Sequence, residues 1–301
     1  MRKPLAATLL ALALAGAGAA PAVAAPVPAG TATVTAAAPA AIAASAGTAT
    51  KDRTATIQAV DFAGTVSLSN CSGSVIRFPN SADSDPALVL SNGHCLETGF
   101  PAPGEVIVDQ ASSRSFGLLN SSGTRIATLR ASKVAYSTMT DTDITIYQLT
   151  RTYAQIKSSY GISALTVADT HPVAGTAIKV VSGYWKRIYS CNIDGFVYRL
   201  KEGDWTWKDS VRYTSACNTI GGTSGSPVID NATGKVVAVN NTGNEDGERC
   251  TENNPCEVDA SGNVTVRQGI NYAEETYQIP ACFGAGNKLN LSASGCVLPK
   301  P

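Results

Sequence analysis

Three short stretches hold residue types that could move a proton or attack a carbonyl. The first is Ser91-Asn92-Gly93-His94-Cys95, in a chain with only two histidines. His94 stands between a turn-forming Asn-Gly pair and a cysteine, so a crosslink on its neighbour could hold the ring still for proton transfer. The second is Asp141-Thr142-Asp143-Ile144-Thr145-Ile146. Here Asp143 opens an alternating run and could reach a neighbouring loop from the start of a strand. The third is Gly221-Gly222-Thr223-Ser224-Gly225-Ser226-Pro227. Glycines on both sides of Ser224 allow backbone conformations closed to residues with a Cβ. Such a loop can aim N–H groups at one point while presenting the hydroxyl. A serine nucleophile needs that geometry, together with donors for the oxyanion it creates. Taken singly, the second is an ordinary acidic turn before a strand and the third a glycine-rich β-turn. Together, in the order His94, Asp143, Ser224, they fit acyl transfer.

The elements that must position these residues read as β. Short β-branched or apolar runs lie at 74–78, 87–90, 105–108, 144–149, 177–181, 195–200, 236–240 and 264–266, with turn residues between them. Many short strands with regular turn signals predict an all-β sandwich or barrels. The best helical stretches are 152–159 and 272–278. Residues 163–172 carry no strong strand signal and read as a bridge between two strand-rich halves. The first half holds His94 and Asp143, and the second holds Ser224.

Arg2-Lys3, an apolar Ala/Leu run and Ala22-Val23-Ala24 predict a secretory signal peptide over 1–24. Residues 25–55 are mostly Ala, Pro, Thr and Gly, lack large apolar side chains, and read as a disordered pro-segment or linker. Lysine plus arginine and aspartate plus glutamate number 23 each. With no basic run, nucleic acid and anionic membranes are poor partners. All eight cysteines follow the leader, and an even count in a secreted chain implies disulfides. Connectivity does not follow from sequence. Nearest-neighbour pairing, Cys71–Cys95, Cys191–Cys217, Cys250–Cys256 and Cys282–Cys296, closes short loops and is the expectation. No C-x-x-C occurs and the histidines are far apart in sequence, which argues against a zinc site; no metal and no cofactor are expected.

These blocks are similar to those of the chymotrypsin/trypsin-like serine proteases, in a secreted bacterial branch resembling glutamyl endopeptidases. "SNGHC" resembles the family's histidine block, "DTDITIYQL" its aspartate block and "GGTSGSP" its nucleophile loop. "CSGSVI" (71–76) resembles the strand whose cysteine bridges to the one after the histidine. The resemblance implies two packed six-stranded antiparallel β-barrels with the site in their cleft, over 56–165 and 166–280, followed by a stapled tail at 281–301. It implies a catalytic triad of His94, Asp143 and Ser224, an oxyanion hole from the N–H groups of Gly222 and Ser224, and a Cys71–Cys95 bridge anchoring the histidine loop. The implied protein is a monomeric serine endopeptidase acting on proteins or peptides.

Three features qualify the likeness. Where animal trypsins carry the aspartate that pairs with a newly cut N-terminus, this chain has Thr223, so activation by that ion pair is not expected. Asn218 stands where trypsins hold their specificity acid, followed by Thr219, and Asn240 stands where glutamyl enzymes hold a histidine. These three are the expected substrate-binding residues, in a neutral polar pocket. An α/β-hydrolase would need a histidine after the nucleophile, and none follows Ser224. Ser226 reads as a decoy, and His171 as a surface or packing residue. An inactive binding module on the same scaffold is the alternative.

Overall fold

The computed structural model describes residues 59–301. The expected signal peptide and pro-segment lie outside the described residues. The first sheet contains β1 (Thr65–Ser67), β2 (Ser72–Arg77), β3 (Pro86–Ser91), β4 (Val106–Ala111), β5 (Ser115–Leu119), β6 (Arg125–Thr138) and β7 (Ile144–Thr152). Pairing runs β1-β5-β6-β7-β3-β2 and returns to β1, closing an antiparallel ring of six strands, with β4 added on β6. α1 (Tyr153–Tyr160) follows, opened by a Thr152–Gln155 capping box and closed by Gly161 in the left-handed region. β8 (Leu165–Thr166) then pairs in parallel with β2.

The second sheet contains β9 (Ala177–Ser182), β10 (Arg187–Glu202), β11 (Trp205–Tyr213), β12 (Pro227–Asp230), β13 (Val236–Gly243), β14 (Cys256–Val258), β15 (Val264–Val266) and β16 (Asn271–Glu275). Its ring is β11-β16-β13-β12-β9-β10, closed by the β10–β11 hairpin, and β14 and β15 extend it from β10. Closure removes the open edges that would otherwise invite pairing with another chain. No helix among the described residues is long and apolar enough to cross a membrane.

Side-chain alternation explains why the strands bury as they do. Along β3, Ala87 and Val89 enter the interior of the first barrel, whereas Leu88 and Leu90 enter a second cluster that also contains Val239 and Ile279. β7 divides in the same way, Tyr147 and Leu149 inward and Ile144 and Ile146 to the other cluster. These strands therefore read as continuous apolar runs, because both of their faces are covered.

The helix expected at 272–278 is corrected: residues 271–275 form β16, paired with β11 and β13 and buried throughout. Ala273, Glu274 and Glu275 favour helix locally, but the two flanking strands supply backbone partners and burial that outweigh propensity.

All four disulfides are nearest-neighbour pairs: Cys71–Cys95, Cys191–Cys217, Cys250–Cys256 and Cys282–Cys296. After the second ring the chain turns back over the first. It passes through a short hairpin of β17 (Phe283–Gly284) and β18 (Lys288–Leu289). Phe283 meets Phe78 at a ring-centroid distance of 4.9 Å, and the Tyr136 hydroxyl donates to the Pro299 carbonyl.

Candidate active site

His94 sits on a turn immediately after β3, and its loop is held from several sides. Cys71–Cys95 fixes the next residue to the chain entering β2. Asn70 and the buried Arg114 both donate to the Cys95 carbonyl, and Arg114 also reaches the Tyr147 hydroxyl at 2.8 Å. Asp143, just before β7, is completely buried. Its Oδ2 lies 2.7 Å from His94 Nδ1, and its Oδ1 accepts the His94 main-chain N–H at 3.1 Å. The Asn92 side chain donates to the Asp143 carbonyl. Two of these bonds reach the His94 ring and backbone, so they orient the imidazole as well as attracting it.

Gly93 is required by this approach. A Cβ there would stand 2.3 Å from the Thr138 carbonyl oxygen and 2.9 Å from Asp143 Oδ1. Any side chain at 93 would push the carboxylate away from the ring.

Ser224 lies between β11 and β12 in a loop pinned to both barrels. Ser72 N–H of the first barrel donates to the Ser224 carbonyl at 2.8 Å, and Gly225 N–H donates to the Asn240 carbonyl. Gly225 has φ +80°, and a Cβ would meet the Ser72 carbonyl at 2.1 Å. Thr223 is buried and ties the loop internally: its hydroxyl donates to Ile220 O and accepts from Asn240 Nδ2. Ser226 is buried, with its hydroxyl donating to Thr223 O. The N–H groups of Gly222 and Ser224 donate to no acceptor among the described residues. Trp185, at the turn between β9 and β10, caps the same loop by donating to the Gly221 carbonyl.

His94, Asp143 and Ser224 line one cleft. The Ser224 hydroxyl donates to the Asn241 carbonyl at 3.2 Å rather than to His94. Burial alone would lower the His94 pKa, but the Asp143 charge and hydrogen bond, with help from Glu202, raise it above its ordinary 6.5. Behind Asn241, the buried Glu274 accepts from the Asn241 amide and the Ser210 hydroxyl, and burial pushes it up to about 8.

Thr219 and Asn240 line the cleft, whereas Asn218 is exposed outside it. Both lining side chains are already engaged, Thr219 donating to Asn271 and Asn240 accepting from Tyr213. In sequence, the Cys191–Cys217 hairpin aromatics Trp205, Trp207, Tyr198 and Tyr213 read as cross-strand packing, with lining of a substrate cleft as the alternative. Trp205 and Trp207 do line the cleft. Phe100 sits edge-on to His94 and to Trp205, each at 5.8 Å between centroids. Tyr213 packs in the core of the second barrel, and Tyr198 faces solvent. Glu202, at the end of β10, is buried and raised in pKa by that burial. The Cys250–Cys256 loop closes over it: Asn253 N–H donates to Glu202 Oε1, and Glu252 and Asn253 join the lining. The only sequence signal for this wall was the Glu202-Gly203-Asp204 turn, which marks a hairpin but no site.

Residues 71–239 match the trypsin-like peptidase domain, and the chain belongs to that family. It is a trypsin-like serine peptidase. Among solved structures it is similar to the Rv3671c protease from M. tuberculosis in its active form, at 15% identity over 79% of this chain and 82% of that one, TM-score 0.44. A Glu endopeptidase is similar at 15% identity over 73% and 88%, TM-score 0.42. The thermostable serine protease AL20 from an extremophilic microorganism is similar at 15% identity over 71% and 91%, TM-score 0.41. No curated protein matches the sequence.

Proposed function

We propose that the protein is a secreted serine endopeptidase that cleaves proteins or peptides through a triad of His94, Asp143 and Ser224 and an acyl-enzyme. The observation that carries this reading is the buried Asp143 carboxylate gripping both the ring and the backbone of His94, with Ser224 in the same cleft. With Nδ1 donating to Asp143, the lone pair of the neutral ring is on Nε2, the nitrogen that must take the serine proton.

In the proposed reaction the Ser224 hydroxyl leaves Asn241 and donates to His94 Nε2. Catalytic hydrogen bonds are often long or misaligned before substrate binds. Ser224 Oγ attacks the scissile carbonyl as Nε2 takes the proton, and the free N–H groups of Gly222 and Ser224 receive the oxyanion. The imidazolium, stabilised by ionised Asp143, donates its proton to the leaving amine. Water deprotonated by His94 then attacks the ester and frees Ser224.

Thr223 supports a loop that is ordered without a new N-terminus, since its hydrogen bonds to Ile220 and Asn240 occupy the place of the trypsin ion pair. The protein is further proposed to be a zymogen whose 25–55 segment is removed by a route other than that ion pair, and comparing activity before and after N-terminal trimming tests this. Four disulfides and the leader-like N-terminal sequence support secretion. Ser224→Ala tests the assignment. Its melting curve should match the wild type while kcat falls by on the order of 10⁴ or more; near-full turnover would reject the triad.

A further inference from the structure

We propose that His171, Asp209 and Glu275 bind one divalent transition-metal ion of the zinc type, tying the segment between the barrels to the wall of the second. His171 lies in the connection from β8 to β9, Asp209 on β11 and Glu275 at the end of β16. One ligand atom from each lies within 4.8 Å of the others. None of the three lines the cleft that holds Ser224.

The hydrogen bonding leaves a buried carboxyl group without a partner. Glu275 is 7% exposed, and neither of its carboxylate oxygens receives a hydrogen bond. Oε1 nevertheless stands 3.0 Å from His171 Nε2, whose other neighbour is Asp209 Oδ2 at 3.2 Å. The opposite ring nitrogen, Nδ1, lies 2.5 Å from the Pro172 carbonyl, which can only accept, so Nδ1 carries the proton. A carbonyl-held Nδ1–H is the outer-shell arrangement that presents a bare Nε2 to a metal. A neutral His171 thus turns a lone pair on two carboxylates. A doubly protonated ring has one Nε2–H for two carboxylates, Glu275 at 3.0 Å and Asp209 at 3.2 Å, and its geometry forms a hydrogen bond to Asp209 only. Lys208, beside Asp209 on β11, is paired with Asp141.

One cation between Nε2, Oδ2 and a Glu275 oxygen satisfies all three groups. One imidazole with two carboxylates suits zinc or a similar first-row ion, whereas calcium and magnesium favour all-oxygen shells. The fourth position would go to water, since the His171 side chain is 38% exposed on its open side. Phe196 and Tyr277 pack edge-on against the ring at 4.4 and 5.0 Å, fixing its plane. The role is structural.

The chain has two histidines, so His94→Ala leaves one imidazole and removes ambiguity. Untagged His94→Ala protein, stripped with EDTA, should bind one Zn²⁺ per chain by calorimetry. Adding His171→Ala or Glu275→Gln should weaken binding at least ~100-fold. Nitrogen-15 NMR of the parent should show the His171 Nε2 resonance move on zinc addition while Nδ1 keeps its proton, a readout that stands even where a variant fails to fold. Equal zinc binding with and without His171, or an Nε2 resonance unmoved at saturating zinc, would overturn the site.

Discussion

At the scale of single residues, the site depends on how closely backbone and side chain can approach. Gly93→Ala is expected to displace Asp143, because the added methyl would overlap both the Thr138 carbonyl and Oδ1. Overpacking of this kind costs about 1–3 kcal/mol. Activity should fall by more than stability does, so kcat/KM measured well below the melting temperature is the test. A second expectation concerns pH. Protonated His94 cannot accept the serine proton, so activity declines as pH falls below the His94 pKa and grows as pH rises through it. The raised pKa places the midpoint of the kcat/KM acid limb above 6.5. Asp143→Asn removes the chief cause of that rise and leaves burial, so the limb should move to lower pH while kcat drops by about 10⁴. An unmoved limb would separate the measured titration from His94. The same linkage makes the His94–Asp143 pair most stabilising below about pH 6.5, with the contribution fading as pH rises through the folded value.

At the scale of elements, the tail is structural. Asn287 is buried, with φ +53°, a conformation asparagine tolerates. It accepts from the Ser81 hydroxyl and donates to the Pro86 carbonyl and the Tyr153 hydroxyl. Asn287→Ala strands those partners and is expected to cost about 2–4 kcal/mol, read by denaturant unfolding; a change below ~0.5 kcal/mol would deny the tail this role. Strands with plain apolar runs, such as β3 and β7, were legible from sequence because burial on both faces leaves an unbroken signal. α1 matches the helical stretch read at 152–159, and the capping box that opens it emerged only in the structure. β16 was not legible, since asparagine and glutamate at buried positions conceal a strand whose backbone partners, β11 and β13, only the fold supplies. For the same reason the proposed triad could be drawn from three local blocks, whereas Glu202, Asn253 and the His171 cluster, brought together from distant segments, could not.

At the scale of the whole molecule, the two rings meet at a seam that also holds the candidate active site. Ser72 of β2 holds the Ser224 loop, Val167 bridges to Val236, and Val239 packs with Ile76 and Leu90. The proposed base and nucleophile thus come from different barrels, and the seam's hydrogen bonds and shared core hold them in one cleft. The most direct measurement is covalent labelling with a serine-directed phosphonate, mapped by mass spectrometry. The account predicts one phosphonyl group per chain, on Ser224, lost in Ser224→Ala and slowed by orders of magnitude in His94→Ala. Labelling at another serine, or a folded wild-type protein left unmodified, would contradict it.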